Sequence, residues 1–161
     1  MLAAMSSPRN IYIAVIDDDE SVGRALSRLL RAAHLQPVVY PSAEAFLTDT
    51  RRPAFECLVL DVQLPGMSGL ELSHRLAAVQ DPTPIVFLTA HDHPALQPPL
   101  PTPQCAAAFR KTDPGEALLA TLRRLCGLDA AASDASGPRG EQRGRTNRPA
   151  PVGESRPRWT R

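Results

Sequence analysis

The stretch "IYIAVIDDDE", residues 11–20, places an unbroken apolar run directly before four acidic residues. A short run of this kind, rich in β-branched residues, is typical of a strand that is buried on both faces. The acids Asp17, Asp18 and Asp19 then stand at the carboxyl end of that strand. We therefore expect the first strand to end at a polar site and not in a plain surface loop.

The rest of the chain alternates between helical and extended patterns. We expect four further strands, at "QPVVY", "CLVLD", "PIVFL" and "AAAF". Asp19, Ser42, Ser68 and Asp113 are the expected caps of the intervening helices, with a capping box at Ser68, and Gly127 is expected to end the last helix. Strands that alternate with helices predict a doubly wound α/β fold with a five-stranded parallel sheet.

One segment interrupts this alternation. Residues 93–104 read "HPALQPPLPTPQ" where a fourth helix would stand. Each proline inside a helix costs about 3 kcal/mol, and four of them follow closely, at Pro98, Pro99, Pro101 and Pro103. We therefore expect a degenerate, proline-rich segment and no regular fourth helix.

Composition favours one domain, over residues 11–127, and a disordered basic tail over residues 128–161. From Asp129 onward the chain carries seven arginines and four acids but almost no aliphatic residues, so it cannot bury enough surface to offset its ordering entropy. A passive linker is the favoured interpretation of the tail, with docking on RNA or on a partner as the alternative. Its partner, if any, is not predicted.

Several classes of protein are disfavoured by composition. The net charge of +1 indicates no preference for nucleic acid or membranes. No apolar run approaches the roughly 18 residues of a membrane span, and no secretion signal is visible, so we expect a cytoplasmic protein. The three cysteines, Cys57, Cys105 and Cys126, are an odd number without C-x-x-C spacing, which argues against a disulfide framework and a zinc site.

The expected sheet brings polar residues together at one edge. Asp17, Asp18, Asp61, Thr89 and Lys111 all stand at carboxyl ends of predicted strands, where ligands bind in such folds. Carboxylates in one crevice repel each other by about 4 kcal/mol per close pair at an effective dielectric constant near 20. Mg²⁺ with oxygen ligands would offset that repulsion, and Lys111, which is the only lysine in the sequence, would add a second positive charge.

These residues resemble a known family. The segments "VIDDDESVGRALSRLL", "LVLDVQLPGMSGLEL", "IVFLTA" and "AFRKTDPGEALLATLRRL" are similar to the receiver domain of bacterial two-component response regulators, over residues 11–127. The resemblance implies that Asp61 accepts a phosphoryl group from a sensor histidine kinase or a phosphotransfer protein.

The same resemblance implies roles for the neighbouring residues. Mg²⁺ would be bound by Asp17, Asp18, Asp61 and the backbone carbonyl of Gln63. The phosphoryl oxygens would be bound by Thr89 and Lys111. A carboxylate nucleophile, a metal ion and donors aimed at developing oxyanions are the groups that phosphoryl transfer requires.

The sequence also departs from the family. Thr112 follows Lys111 where the family has a proline after a cis bond, and we expect a trans bond with a rearranged loop because a non-proline cis bond costs about 2.5–4 kcal/mol. Phe109 lies two residues before the lysine, whereas the family's switch aromatic lies three before it. That shift is expected to turn Phe109 to the other face of its strand.

Three functions remain open at this point. The first is a stand-alone phosphoacceptor receiver, which is not an enzyme beyond catalysing its own phosphorylation and dephosphorylation. The second is a pseudo-receiver, an interaction module that phosphorylation does not switch. The third and weakest is a haloacid-dehalogenase-like phosphatase, because residues 17–21 loosely resemble its D-x-D-x-T motif but leave Asp61 unexplained. His91 and His93 could hold a metal but are expected to be exposed loop residues.

Overall fold

The computed structural model describes residues 9–90, 94 and 101–129. In chain order the elements are β1 (Tyr12–Ile16), α1 (Glu20–Ala32), β2 (Gln36–Tyr40), α2 (Ala43–Thr48), β3 (Cys57–Asp61), α3 (Gly69–Ala78), β4 (Ile85–Thr89), β5 (Cys105–Arg110) and α4 (Gly115–Leu125). The strands form one parallel sheet in the order β2-β1-β3-β4-β5. This confirms the predicted doubly wound α/β fold, and α4 is the helix expected as the fifth.

The sheet separates two hydrophobic clusters. One, which we call the α2–α3 cluster, includes Ile16, Phe46 and Leu72. The other, the α1–α4 cluster, includes Val15 and Leu122. Because neighbouring residues of a strand point to opposite faces, β3 and β4 contribute to both clusters and are buried throughout. Strands β3 and β4 therefore hold the residues at their carboxyl ends in well-defined positions.

Three of the predicted helix caps are confirmed. The Asp19 carboxylate accepts the N–H groups of Ser21 and Val22 at the start of α1. The Ser42 hydroxyl oxygen accepts the N–H of Ala45 in α2. Ser68 forms the predicted capping box at the start of α3. The helices therefore begin where their side chains satisfy free N–H groups.

The predicted cap at Asp113 is wrong. Pro114 occupies the cap position of α4 and makes no side-chain hydrogen bond there. The Asp113 carboxylate instead accepts the backbone N–H of Arg110 at 2.7 Å. Because Arg110 precedes Asp113 in the sequence, this hydrogen bond closes the turn between β5 and α4. It does not cap the helix that follows.

The end of α4 agrees with the predicted role of Gly127. This glycine has a φ of 70°, in the left-handed region where glycine is favoured. Its N–H donates to the Arg124 carbonyl, and the Leu128 N–H donates to the Arg123 carbonyl. The chain then continues with Leu128 packed against the α1–α4 cluster.

Strand β5 contains an irregularity that sets the orientation of Phe109. Cys105 pairs with Ile85 and Ala107 pairs with Val86, so one extra residue of β5 lies between these pairs. Cys105 belongs to the α2–α3 cluster, whereas Phe109 packs against the α1–α4 cluster.

Some predictions concern residues outside the described part of the chain. Pro98 and Pro99 lie there, whereas residues 101–104 form turns and bends just before β5. The absence of a regular fourth helix therefore stays a prediction for most of the segment. The same holds for His91, His93 and the tail from residue 130 onward, and hence for the domain boundary. Within the described residues, no helix has the length and apolar character to cross a membrane.

Candidate functional site

Three carboxylates meet at the carboxyl edge of the sheet. Asp17 and Asp18 directly follow β1, and Asp61 is the last residue of β3. One oxygen from each of the three lies within 4.8 Å of the others. Asp17 is 3% exposed and Asp61 is 4% exposed, whereas Asp18 faces solvent. The parallel pairing of β1 with β3 brings these side chains together from positions far apart in the sequence.

Lys111 supplies the positive charge of this cluster. Its Nζ atom lies 2.8 Å from Asp17 Oδ2 and 2.7 Å from Asp61 Oδ2. The lysine follows β5 directly, and its backbone N–H donates to the Thr89 carbonyl at 2.8 Å. Burial lowers the pKa of Lys111, but the close contacts and negative charges of Asp17 and Asp61 together outweigh burial and raise that pKa. The ammonium therefore stays charged between two buried carboxylates.

Asp17 is a buried acid whose ionised form is disfavoured by its surroundings. Burial raises its pKa, and the charge of Asp61 adds to that rise. The Lys111 ammonium and the Asp19 N–H, which donates to Asp17 Oδ1 at 2.8 Å, only partly offset burial. Asp17 Oδ2 is buried, and no donor in the described part of the chain is aligned to hydrogen-bond it, so its contact with Lys111 is an ion pair.

Both oxygens of Asp61 have partners. Oδ1 accepts the backbone N–H of Gln63 at 3.0 Å, and Oδ2 accepts from Lys111 at 2.7 Å. The backbone directly after Asp61 is held by a hydrogen bond from the Gly69 N–H to the Val62 carbonyl, at 3.1 Å. The Asp61 carboxylate is therefore fixed in position before any ligand arrives.

Gly69 is a structural requirement of this arrangement. A Cβ atom added to Gly69 would lie 2.0 Å from the Asp61 carbonyl oxygen, which is far closer than two such atoms can approach. The start of α3 is thus pressed against the end of β3. Gly69 was not among the residues predicted from the sequence, although its position directly after the Ser68 cap could have indicated a close approach of the helix start to β3.

The remaining predicted residues lie around this cluster. Thr89 ends β4, is 6% exposed and pairs in register with Arg110 of β5. Gln63 is exposed and lies in the loop after β3, with its N–H on Asp61. The structure therefore brings Asp17, Asp18, Asp61 and Lys111 into one group, with Thr89 at the next strand end.

The donor set fits Mg²⁺. This ion prefers oxygen ligands and is usually bound by one or two carboxylates together with waters and phosphate oxygens. Asp17, Asp18 and Asp61 offer three carboxylate oxygens close enough to share one ion. The buried Asp17 Oδ2 already lies 2.8 Å from the Lys111 ammonium, so a metal ion bound at this oxygen would share it with the lysine.

One contact in the loop between β3 and α3 was not predicted from the sequence. Glu44 of α2 accepts the backbone N–H of Met67, in the loop between β3 and α3, at 2.7 Å. In the sequence Glu44 looks like an ordinary acid in the first turn of a helix. Because the contact joins residues 23 positions apart, no local pattern could have indicated it.

Known proteins resemble this chain in sequence. The profile of the response regulator receiver domain family matches residues 13–98, which is more than half of the 161 residues. The response regulator TodT of Pseudomonas putida is 41% identical over 85 residues, which make up 53% of this chain and 37% of TodT. The transcriptional regulatory protein FixJ of Azorhizobium caulinodans is 33% identical over 124 residues, which cover 76% of this chain and 58% of FixJ. The chain therefore spans only part of the length of both relatives.

A solved structure agrees with these sequence matches. The response regulator StyR shares 36% identity with this chain at a TM-score of 0.66, over 79% of this chain and 64% of StyR. The family profile ends at residue 98, ahead of β5, whereas the parallel sheet continues through β5 to Lys111. Fold and sequence together thus give one assignment. The chain belongs to the response regulator receiver domain family of two-component systems.

Proposed function

We propose that this chain is a phosphoacceptor whose Asp61 takes a phosphoryl group from a sensor histidine kinase or a phosphotransfer protein, with Mg²⁺ as the metal. The observation that carries this proposal is the Lys111 ammonium, which contacts both Asp17 and Asp61 within 2.8 Å beside the exposed Asp18. A nucleophilic carboxylate and a cation are thus already in contact at the sheet edge.

The proposed reaction is a displacement at phosphorus. One oxygen of Asp61 forms a bond to phosphorus as the bond between phosphorus and the donor atom breaks, and the product is an acyl phosphate. Mg²⁺, held by Asp17, Asp18, Asp61 and the Gln63 carbonyl, would supply charge neutralisation for the transferring group. Lys111 and Thr89 would donate to the phosphoryl oxygens as negative charge develops on them.

Burial supports this division of roles. Asp61 is almost completely out of water, so donors fixed around it act more strongly than they would in bulk solvent. Asp18 is exposed, so a metal ion from solvent can reach the carboxylate group at this residue. The hydrogen bond from the Gln63 N–H to Asp61 Oδ1 holds the proposed nucleophile in place. The loop therefore does not need a large rearrangement before the reaction.

A labelling experiment tests the proposal. The protein is incubated with Mg²⁺ and a small acyl-phosphate donor, and covalent phosphate is followed by intact mass. We expect one phosphoryl group per chain, loss of labelling when a chelator removes Mg²⁺, and loss of labelling in Asp61→Asn. Failure of the wild-type protein to label while Mg²⁺ binds would contradict the proposal.

One observation favours a second candidate, the pseudo-receiver. Phe109 packs with the α1–α4 cluster, and Ala108 occupies the position three residues before Lys111 where the family has its switch aromatic. The position of the family's switch aromatic therefore carries no ring in this chain, and the nearby Phe109 packs on the α1–α4 side of the sheet instead. In the same experiment, Mg²⁺ binding without any labelling would favour the pseudo-receiver.

A further inference from the structure

The loop after the candidate phosphoacceptor is held at both ends. At its start, the Gln63 N–H donates to Asp61 Oδ1 at 3.0 Å. At its end, the Gly69 N–H donates to the Val62 carbonyl at 3.1 Å, and α3 begins there. Between these anchors the chain turns through Gly66, whose φ of 75° lies in the left-handed region.

A side chain from another element contacts the middle of this loop. Glu44 Oε1 lies 2.7 Å from the backbone nitrogen of Met67 and accepts its N–H. The helix that carries Glu44 is itself firmly placed, because Ala43 is fully buried and Phe46 is 2% exposed in the α2–α3 cluster. Glu44 therefore connects a rigid part of the core to the loop.

Gly66 makes room for this carboxylate. A Cβ atom added to Gly66 would lie 2.7 Å from Glu44 Oε1, which is closer than ordinary contact. The glycine suits its left-handed backbone conformation, and a Cβ at this position would push the Glu44 carboxylate away from its present place. The Met67 N–H lowers the pKa of Glu44, with smaller contributions from its own backbone N–H and from Arg75, in agreement with a carboxylate that binds in its charged form.

We propose that Glu44 is a positioning residue for the phosphoacceptor site. By holding the Met67 N–H it fixes the loop of residues 62–68, and with it the Gln63 backbone that adjoins Asp61. The inference rests on the proposed function, because the loop matters only if Gln63 and Asp61 bind Mg²⁺. Glu44 itself touches neither the metal ion nor the phosphoryl group in this scheme.

The first measurement concerns the loop alone. Amide hydrogen exchange at Met67 is compared between the wild-type protein and the variants Glu44→Ala and Glu44→Gln. We expect exchange to accelerate by about tenfold in Glu44→Ala and by about threefold in Glu44→Gln, because the glutamine keeps a neutral acceptor. Amides of β3 should keep their protection, whereas general destabilisation would accelerate both. Unchanged exchange at Met67 in Glu44→Ala would overturn the proposal.

The second measurement concerns the metal ion. Mg²⁺ affinity by calorimetry and the rate of labelling at increasing Mg²⁺ are measured for the same variants. We expect the Mg²⁺ dissociation constant to rise by about threefold to tenfold in Glu44→Ala, the maximal labelling rate at saturating Mg²⁺ to stay near the wild-type value, and Glu44→Gln to recover part of the affinity. An unchanged dissociation constant together with faster Met67 exchange would overturn the link between loop and site.

A matched control is available in α4. Glu116 is also an exposed acid in the first turn of its helix, so Glu116→Ala removes the same charge from the same kind of position. It should change neither Met67 exchange nor Mg²⁺ affinity. If the wild-type protein binds no Mg²⁺ at all, the proposed function fails, and the exchange data still decide whether Glu44 holds the loop.

Discussion

At the carboxyl edge of the sheet, one ammonium group lies between two carboxylates that are almost entirely out of water. The side chains of Asp17 and Asp61 are 1% and 5% exposed, and that of Lys111 is 19% exposed. Such a group is stable only while its charges remain paired, because an uncompensated buried charge costs several kcal/mol. We therefore expect this group to be sensitive to single substitutions.

Lys111→Met tests this charge balance. Breaking a buried pair costs about 3–5 kcal/mol, and because Lys111 keeps part of its surface in water we expect a loss of about 2 kcal/mol in the free energy of unfolding at neutral pH without metal. Urea unfolding measures this loss, and added Mg²⁺ should restore part of it. Arg24→Met, which breaks an exposed pair with Glu20, is the control and should cost less than about 1 kcal/mol. Equal losses in the two variants would contradict the account.

Tyr40 gives a prediction about alkaline pH. Its carbonyl accepts the Asp17 N–H at 3.1 Å, and its hydroxyl donates to Asp49 Oδ2 at 2.7 Å. Burial, followed by the hydrogen bond and charge of Asp49, raises the pKa of Tyr40 from 10.0 to about 12. Because the folded state favours the protonated phenol, this stabilisation is complete below pH 10 and is lost as the pH rises towards about 12.

The measurement compares the wild-type protein with Tyr40→Phe. The difference in unfolding free energy between them should shrink as the pH rises from 10 to about 12. Absorbance titration in a Tyr12→Phe background isolates the Tyr40 phenolate. A Tyr40 that titrates at its ordinary pKa of 10.0 would contradict both the burial of the phenol and its hydrogen bond to Asp49.

At the level of elements, the connection from β3 to α3 is the most constrained part of the site. Gly69→Ala should cost about 2 kcal/mol, because the new Cβ would meet the Asp61 carbonyl at 2.0 Å and force backbone movement. It should also slow labelling of Asp61, which shares that backbone. Chemical unfolding and labelling kinetics measure the two effects.

Gly127→Ala separates a steric clash from backbone strain. Gly127 has a φ of 70° but no atom within 4 Å of an added Cβ. We expect this variant to lose about 1 kcal/mol from strain alone and to label at the wild-type rate. Normal labelling in Gly69→Ala would mean that the start of α3 does not constrain Asp61.

The elements also show what the sequence could predict. The strand ends at Asp17, Asp61 and Lys111 followed from hydrophobic runs, and parallel pairing then required them to meet at one edge. The cap at Asp113 could not be predicted in the same way, because an aspartate can accept an N–H that precedes it or one that follows it in the sequence, and Asp113 accepts the preceding N–H of Arg110. Local pattern does not decide between such neighbours.

Contacts between residues far apart in the sequence were harder to predict. The small residues of "AAAF" do not fix the register of β5, and the irregularity before Ala107 follows from pairing with β4. The contact between Glu44 and Met67 depends on how α2 packs against the sheet. Both features depend on tertiary packing, which periodicity does not report.

At the scale of the whole molecule, the two clusters on either side of the sheet supply the core, and Leu128 is the last apolar residue of the described chain that packs against it. Residues 130–161 carry no apolar periodicity in their sequence. Deleting residues 130–161 should change the free energy of unfolding by only a few tenths of a kcal/mol. Thermal unfolding checks this, and a clear loss of melting temperature would mean that Trp159 or its neighbours dock on the domain.

The most direct test of the central claim is to locate the phosphoryl group after labelling. The labelled protein is treated with hydroxylamine or borohydride, which react with an acyl phosphate, and the modified residue is identified by peptide mapping. We predict modification of Asp61 alone, with a bond that survives mild acid and is cleaved by hydroxylamine. Modification of Asp17 with rapid turnover of phosphate esters would indicate a phosphatase, and no modification while Mg²⁺ is bound would indicate a pseudo-receiver. Either result would contradict the assignment of Asp61 as the phosphoacceptor.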